Sequence, residues 1–379
     1  MRVCFVSSYP PNHARLSEYT KSLVNELEKR GLINDIHVVA DMVGGTRNRA
    51  QEGRSIEVLR VWKPDDLFSI LGIVPKLLKL KPDVVHFNVH FQSFGRNRLS
   101  NFFGLSLISM CRLLGLKVVA TVHNFGELVD LAKVKVKPSM LNRIGMFVAT
   151  KFVLSASKVV VKVRSYKDYL TGRYGCKDIS YIHHGATVVV DPPSDSEEKV
   201  VLLFGHMGPH KGLPVLFDVF KDIAKVRSDV RLVVAGADHP NFPGYLRSAK
   251  NGLSLSNVAF LGYVEENDLL GVFEKADVVV LPYLTATGTS GVFHLACGFG
   301  KAIIASDLPE LRELVAEGAS AILVPPGDVK ALKDVILSVI DSKELRESLE
   351  RRNLAFAQKE NWGVVAEAYE KVYLEAVAS

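Results

Sequence analysis

Short apolar runs recur along this chain, and most of the stretches between them carry apolar residues three or four positions apart. The first run, Arg2-Val-Cys-Phe-Val-Ser7, reads as a buried strand. A helical stripe of Leu16, Tyr19, Leu23 and Leu27 follows over about 17–30, and Gly31 stops it. Further strands are predicted at Ile36–Ala40, Ile56–Val61, Val84–Phe87, Val118–Val122, Lys158–Val163 and Ile179–Ile182. Alternation of this kind predicts a parallel sheet covered by helices on both faces.

The periodicity lapses at Asp191-Pro-Pro-Ser-Asp-Ser-Glu-Glu198, where turn formers and charge mark a linker. It then restarts, with strands at Val200–Phe204, Val230–Ala235, Val258–Leu261, Val278–Leu281, Ala302–Ala305 and Ala321–Val324. Helices are expected at Leu213–Lys225, Asn267–Lys275 and Val292–Phe299, then near 328–341, 343–357 and 363–377. The predicted organisation is an α/β domain over 1–185, a linker over 186–198, a second α/β domain over 199–360 and a terminal helix over 361–379. A length of 379 residues exceeds what one core usually supports, which agrees with two domains.

Composition narrows the class. With 48% apolar and 23% charged residues the chain is ordinary globular protein. Cys4, Cys111, Cys176 and Cys297 form no CxxC pair, so reduced thiols in a cytoplasmic protein are expected. The opening residues run straight into a strand, unlike a signal peptide, and no apolar run approaches the ~18 residues of a membrane span. Charge is unevenly divided. Residues 1–180 hold 28 Lys and Arg against 14 Asp and Glu, whereas residues 181–379 hold 19 against 27. The basic half suits an anionic partner such as a membrane surface or a phosphorylated acceptor; the alternative is a solvated face. Nucleic acid is not expected, because no aromatic platform is interleaved with the basic residues.

Two loops carry candidate chemistry. In Leu202-Leu-Phe-Gly205-His206-Met-Gly-Pro-His-Lys211-Gly212 a strand ends in a glycine-bearing loop, and a lysine opens the next helix, which suits a phosphate. An ordinary strand–loop–helix turn reads the same way. In Val280-Leu-Pro-Tyr283-Leu-Thr-Ala-Thr287-Gly288-Thr289-Ser290-Gly291-Val292 the amides of Gly288 to Val292 and the hydroxyls of Thr287, Thr289 and Ser290 could cradle a diphosphate. The alternative there is an N-cap loop with Ser290 as the cap.

At this point the chain resembles glycosyltransferase family 4, a group of retaining enzymes with the GT-B fold. The resemblance is carried by Gly205-xxx-Pro209-His-Lys211-Gly212, Leu232-Val-Val-Ala-Gly236, Val258-Ala-Phe-Leu-Gly262-Tyr263-Val264 and Ala276-Asp-Val-Val-Val-Leu-Pro282. Leu295-Ala-Cys-Gly298, Lys301-Ala-Ile-Ile-Ala-Ser-Asp307 and Ile322-Leu-Val-Pro-Pro-Gly-Asp328 continue it in the same order. The first half is similar more loosely, through Ser7-Ser-Tyr-Pro-Pro11, Pro82-Asp-Val-Val-His86, Thr121-Val-His123-Asn124 and Ile182-His-His-Gly185. The resemblance implies two Rossmann-like domains facing a central cleft, with the last helix, Trp362 onward, crossing back to the first domain.

It also implies roles. Lys211 would contact the diphosphate of a nucleotide sugar, Gly288 to Val292 would bind it through amides, and His123 would lie against the donor sugar. Tyr263 and Val264 would border the nucleotide base; Asn124 stands where aspartate is commoner. Three departures affect the transfer. His206 replaces an arginine of the donor loop, Ala14-Arg15-Leu16-Ser17 replaces a Gly-Gly pair, and Thr285 and Phe293 occupy the places of two glutamates. Arg15 could supply a charged contact, and His294 or Thr287 could stand in for a glutamate. His86, with Arg15 and Asn124, is a candidate on the acceptor side.

The expected function is therefore transfer of a hexose, mannose or glucose, from a nucleotide diphosphate sugar, with no cofactor and no metal. No Asp-x-Asp pair is present to chelate an ion. The acceptor is expected to be a lipid or glycan at an anionic membrane surface. The amphipathic stretch 94–112 and Lys133, Lys135 and Lys137 are the candidates for peripheral attachment on the cytoplasmic face. A small soluble acceptor, a sugar-nucleotide epimerase and a non-catalytic sugar-nucleotide-binding protein are the competing readings.

Overall fold

The structure is a computed structural model; it describes residues 1–13, 16–128, 139–189, 198–251, 253, 255–286 and 288–379. Every apolar run read as a strand forms one. In the first unit these are β1 (Arg2–Val6), β2 (Asp35–Asp41), β3 (Arg49–Glu52), β4 (Ile56–Trp62), β5 (Val84–Val89), β6 (Val118–Val122), β7 (Lys158–Val161) and β8 (Ile179–Tyr181). They lie in the order β3-β4-β2-β1-β5-β6-β7-β8, parallel except where β3 runs against β4. β3, Arg-Ala-Gln-Glu, has no apolar face to betray it. It is held at the edge by polar contacts instead, Arg49 to Glu57 and Tyr9 to Glu52.

Apolar layers cover both sides of this sheet. One is built on Phe87, Leu107, Ile108 and Val153, the other on Phe5, Leu23, Leu27 and Val38. The terminal helix Trp362–Ala378 belongs to this unit and presses Val365, Ala366, Tyr369, Val372 and Tyr373 into the second layer. Each large buried side chain contributes about 1.5–3 kcal/mol, so these few hold a helix that is far away in sequence. The helix Ser17–Arg30 begins and ends where its stripe predicts, with Gly31 left-handed at φ 75°.

The second unit contains β9 (Lys199–Phe204), β10 (Val230–Ala235), β11 (Val258–Gly262), β12 (Val278–Leu281), β13 (Ala302–Ser306) and β14 (Ile322–Val324). All are parallel, in the order β11-β10-β9-β12-β13-β14. Residues 186–189, placed in the linker from sequence, pack on this unit: the Ala186 amide donates to the Glu360 carbonyl at 2.9 Å and the Val189 amide to that of Gly298 at 2.9 Å. The chain thus passes between units at Gly185–Ala186 and again at Asn361–Trp362. No helix among the described residues is long and apolar enough to cross a membrane. All four cysteines are free thiols.

Candidate functional site

In the second unit β9 pairs with β10 on one side and β12 on the other, so connections leave β9 in opposite directions. The loops after β9 and β12 therefore part at the carboxyl ends of the sheet, where ligands of such folds bind. They are the two loops singled out from sequence.

Close backbone contact fastens them together. The Leu284 amide donates to the His210 carbonyl at 2.9 Å. Gly212 has φ 69°, and a Cβ there would run into the Pro282 carbonyl oxygen. Gly236, at φ 138°, lies against the Gly205 carbonyl in the same way. Glycine is required at both positions by conformation and by space.

Pro209–Lys211 forms one 3-10 turn, and it sets the Lys211 Nζ 3.6 Å from the centre of the Tyr283 ring. The negative face of the ring attracts the ammonium group. The Tyr283 hydroxyl lies 3.3 Å from Ser290 Oγ, which caps the helix Gly291–Gly298 by accepting from the Phe293 amide at 3.3 Å. Lysine, tyrosine, cap and helix N-terminus thus follow one another in space. Gly288, Thr289 and Val292 are half-buried and Gly291 is exposed. The N-cap reading holds, since Ser290 satisfies one amide of the helix start.

His294 is fully buried, with Nε2 3.0 Å from Thr289 Oγ1 and Nδ1 3.5 Å from Glu360 Oε2. It reaches the loop through Thr289 rather than by an exposed edge. Burial, then Glu317, pushes Glu360 up to about 8. His206 is half-buried beside Gly205, Val264 is half-buried, and Tyr263 is exposed at the end of β11.

In the first unit β1 is the strand from which connections diverge, between β2 and β5. His123 and Asn124 follow β6 directly. His123 is buried, its Nε2 lies 2.7 Å from Asn88 Oδ1, and the Tyr19 ring stands edge-on at 4.6 Å. Burial lowers its basicity well below the usual histidine range, with His90 and Lys162 adding to it, so the ring is neutral. Asn124 is spent on the backbone, its Oδ1 accepting from the Phe91 amide at 3.0 Å.

His86 corrects an expectation. It is fully buried, with the Tyr373 hydroxyl 2.7 Å from Nδ1 and Thr121 Oγ1 2.7 Å from Nε2. Both nitrogens are engaged inside the core, so His86 ties the terminal helix to β6 and offers no edge to an acceptor. Arg15, Thr287, Lys133, Lys135 and Lys137 lie outside the described residues.

Two family models match the chain, "Glycosyl transferases group 1" over residues 198–342 and "Glycosyltransferase Family 4" over 16–188. The chain belongs to glycosyltransferase family 4. Over 182 residues it is 31% identical to the phosphatidyl-myo-inositol mannosyltransferase of Mycobacterium leprae, across 48% of this chain and 47% of that one. A lipopolysaccharide 1,2-N-acetylglucosaminetransferase of Salmonella typhimurium is 23% identical over 57% of this chain and 61% of its own. The chain thus spans about half the length of the curated relatives it matches. Among solved structures, sucrose-phosphate synthase from Thermosynechococcus elongatus superposes over 100% of this chain and 99% of its own, with a TM-score of 0.80 and 17% identity. HepE of Anabaena, in complex with UDP-glucose, does so over 98% of each chain at a TM-score of 0.71 and 17% identity. The fold is GT-B.

Against the family pattern, the two missing glutamates have a structural counterpart. Phe293 packs in the core with Tyr283, Ala296 and Cys297, and Thr285 is buried, so neither place presents a carboxylate. Sequence reading gave no role to Tyr283, Glu360 or Asn88. Tyr283 follows Pro282 just beyond β12, and a lysine six residues after Gly205 gives no local hint of stacking on it.

Proposed function

We propose that this protein is a retaining glycosyltransferase that moves a hexose, mannose or glucose, from a nucleotide diphosphate sugar to a lipid or lipid-linked glycan. The observation that carries this reading is Lys211 held over Tyr283 beside the Ser290-capped helix start. As the sugar C1–O bond breaks, negative charge gathers on the diphosphate. The Lys211 ammonium and the amides of 288–292 meet that charge in place of a metal. The acceptor hydroxyl attacks from the face the leaving group departs, and its proton passes to the leaving phosphate oxygen. HepE bound to UDP-glucose supports a nucleotide-sugar donor, and the names of the mycobacterial and Salmonella relatives support a lipid or glycan acceptor.

A lipid acceptor is also favoured by one face of the first unit. The helices Arg98–Leu113 and Met140–Leu154 lie side by side, joined by Arg98 to Asn142, Ser109 to Ser155 at 2.7 Å and the Phe102–Phe152 ring pair at 5.1 Å. Each bares an apolar stripe at helical spacing: Leu99, Phe103, Met110 and Leu113 on one, Met140, Ile144 and Phe147 on the other. Leu113 is 88% exposed and Met140 79%. No Asp or Glu occurs at 84–126 or 131–167, whereas Arg96, Arg98, Arg112, Arg143 and Lys151 do. An apolar stripe with Arg98, Arg112, Arg143 and Lys151 on its two helices suits the surface of an anionic bilayer.

A thermal-shift panel tests the donor reading, because a ligand of the folded state raises its melting temperature. Nucleoside diphosphate hexoses should raise Tm for the wild type and fail to do so for Lys211→Ala; a panel with no stabilising nucleotide sugar overturns it. Sedimentation with vesicles tests the acceptor side. Binding should need anionic lipid, weaken with salt and fall for Leu113→Glu with Met140→Glu. Indifference to anionic vesicles at low salt would transfer the reading to a small soluble acceptor.

A further inference from the structure

The hydrogen bonds behind His123 run in one direction. The Thr20 hydroxyl, 2.8 Å from the Leu16 carbonyl that also takes the Thr20 amide, donates its proton there. Thr20 Oγ1 is then an acceptor for its two other neighbours, Ser7 Oγ at 2.7 Å and Asn88 Nδ2 at 2.9 Å. The second Asn88 N–H faces Ser7 Oγ at 3.4 Å. With the amide nitrogen turned to Thr20 and Ser7, the amide oxygen is the atom 2.7 Å from His123 Nε2. An amide oxygen cannot donate, so Nε2 carries the hydrogen. A neutral imidazole has one N–H, which leaves Nδ1 with a lone pair.

Turning the Asn88 amide over would break this pattern. Its oxygen would then need the Thr20 proton, and the contact between Thr20 and the Leu16 carbonyl would lose its hydrogen. Ser7, Thr20 and Asn88 are all buried, so no bulk water competes for these groups. The register of β5 with β6, Asn88 opposite Thr121, fixes how far the amide stands from the residue that ends β6.

We propose that Asn88 is a positioning residue that holds His123 as the Nε2–H tautomer, so that His123 meets its ligand only as an acceptor, through Nδ1. A group it recognises must therefore donate a hydrogen bond. Under the transferase reading above, on which this identification rests, that group is a hydroxyl of a sugar substrate. His123 is then a reader of a sugar hydroxyl and cannot act as a proton donor from the resting enzyme. The low basicity that burial gives the ring agrees with this. Ser7 and Thr20 belong to the same device, because they decide which way the Asn88 amide points.

Two readouts test it on the full chain. The first needs no ligand: long-range nitrogen–proton spectra of histidine-labelled protein, with the His123 signals identified by their loss in His123→Gln. The wild type should show Nδ1 unprotonated and Nε2 protonated between pH 6 and 8, and Asn88→Ala should give a mixture of tautomers. A wild-type ring with hydrogen on Nδ1, or an unchanged spectrum in Asn88→Ala, overturns the proposal. The second compares turnover of nucleotide hexoses with analogues that each lack one ring hydroxyl. For one of these, wild-type kcat/KM should drop by about tenfold, as expected for one hydrogen bond, and Asn88→Ala should lose that preference while keeping its circular dichroism spectrum. A preference equally strong in Asn88→Ala also overturns it. Turnover of no nucleotide sugar by the wild type would instead refute the transferase reading, and the spectra would still decide the tautomer.

Discussion

Replacing Glu360 by glutamine should make the protein more stable at alkaline pH and leave it unchanged at acid pH. Glu360 follows the helix Lys343–Lys359, with its side chain 12% exposed and its carboxyl 3.5 Å from His294 Nδ1. Burial raises it from 4.5 to about 8. The folded state therefore keeps a proton that the unfolded chain loses near pH 4.5. Between about 4.5 and 8 the folded state binds more protons, so stability falls as pH rises and levels off above about 8. At 1.36 kcal/mol per unit, that rise corresponds to on the order of 5 kcal/mol. Glutamine resembles the protonated carboxyl and does not titrate. Calorimetric melts of wild type and Glu360→Gln should coincide at pH 5 and separate progressively, with the variant melting roughly 10 °C higher at pH 9. Parallel pH curves for the two proteins would refute the argument. The buried proton also bears on the site. His294 links Glu360 to Thr289, so in the proposed mechanism a neutral carboxyl there would spare the diphosphate a nearby negative charge.

Lys211→Ala should cut transfer by about 100-fold or more at saturating donor while the protein still folds, because a preorganised charge at a developing anion contributes a few kcal/mol; steady-state kinetics with a circular dichroism control measure this. Activity should survive EDTA, because in the proposed mechanism Lys211 and backbone amides meet the charge on the diphosphate; loss on chelation, restored by manganese or magnesium, would contradict the loop reading. Tyr373→Phe should destabilise the first unit by about 1–3 kcal/mol in denaturant titrations, since it leaves a buried nitrogen of His86 without its hydroxyl partner.

The apolar runs made the strands legible, because a buried parallel strand must be apolar on both faces and little else in a soluble chain is. β3 escaped because an edge strand pinned by Tyr9, Arg49 and Glu57 needs no apolar residues. Lys211 and the loop to Val292 could be read for a similar reason: glycines, a lysine and hydroxyls cluster within a few residues of strand ends. Contacts between distant residues could not. Lys162 sits inside the run Val159-Val-Val-Lys-Val163 and is buried with its Nζ 4.7 Å from the Tyr19 ring and 4.9 Å from that of Tyr369, 3.3 Å from the His183 carbonyl. No local pattern joins residues 19, 162, 183 and 369. His86 was misplaced for the same reason, since its partner Tyr373 is 287 positions away. At Phe293 the family's own pattern misleads, because here the helix turns that position into the core.

Sugar transfer from a nucleotide diphosphate hexose to a membrane-borne acceptor, as proposed, can be followed in a single reaction. The protein is incubated with hexose-labelled nucleotide sugars and anionic vesicles containing phosphatidylinositol or lipid-linked glycans. Nucleoside diphosphate release and labelled lipid are then measured together, and the new linkage is read by NMR. The account predicts that one donor gives equal amounts of nucleoside diphosphate and glycosylated lipid, that the anomeric configuration of the donor is retained, and that Lys211→Ala abolishes both signals. Nucleoside diphosphate release without sugar in the lipid, an inverted linkage, or a rate untouched by Lys211→Ala would contradict it.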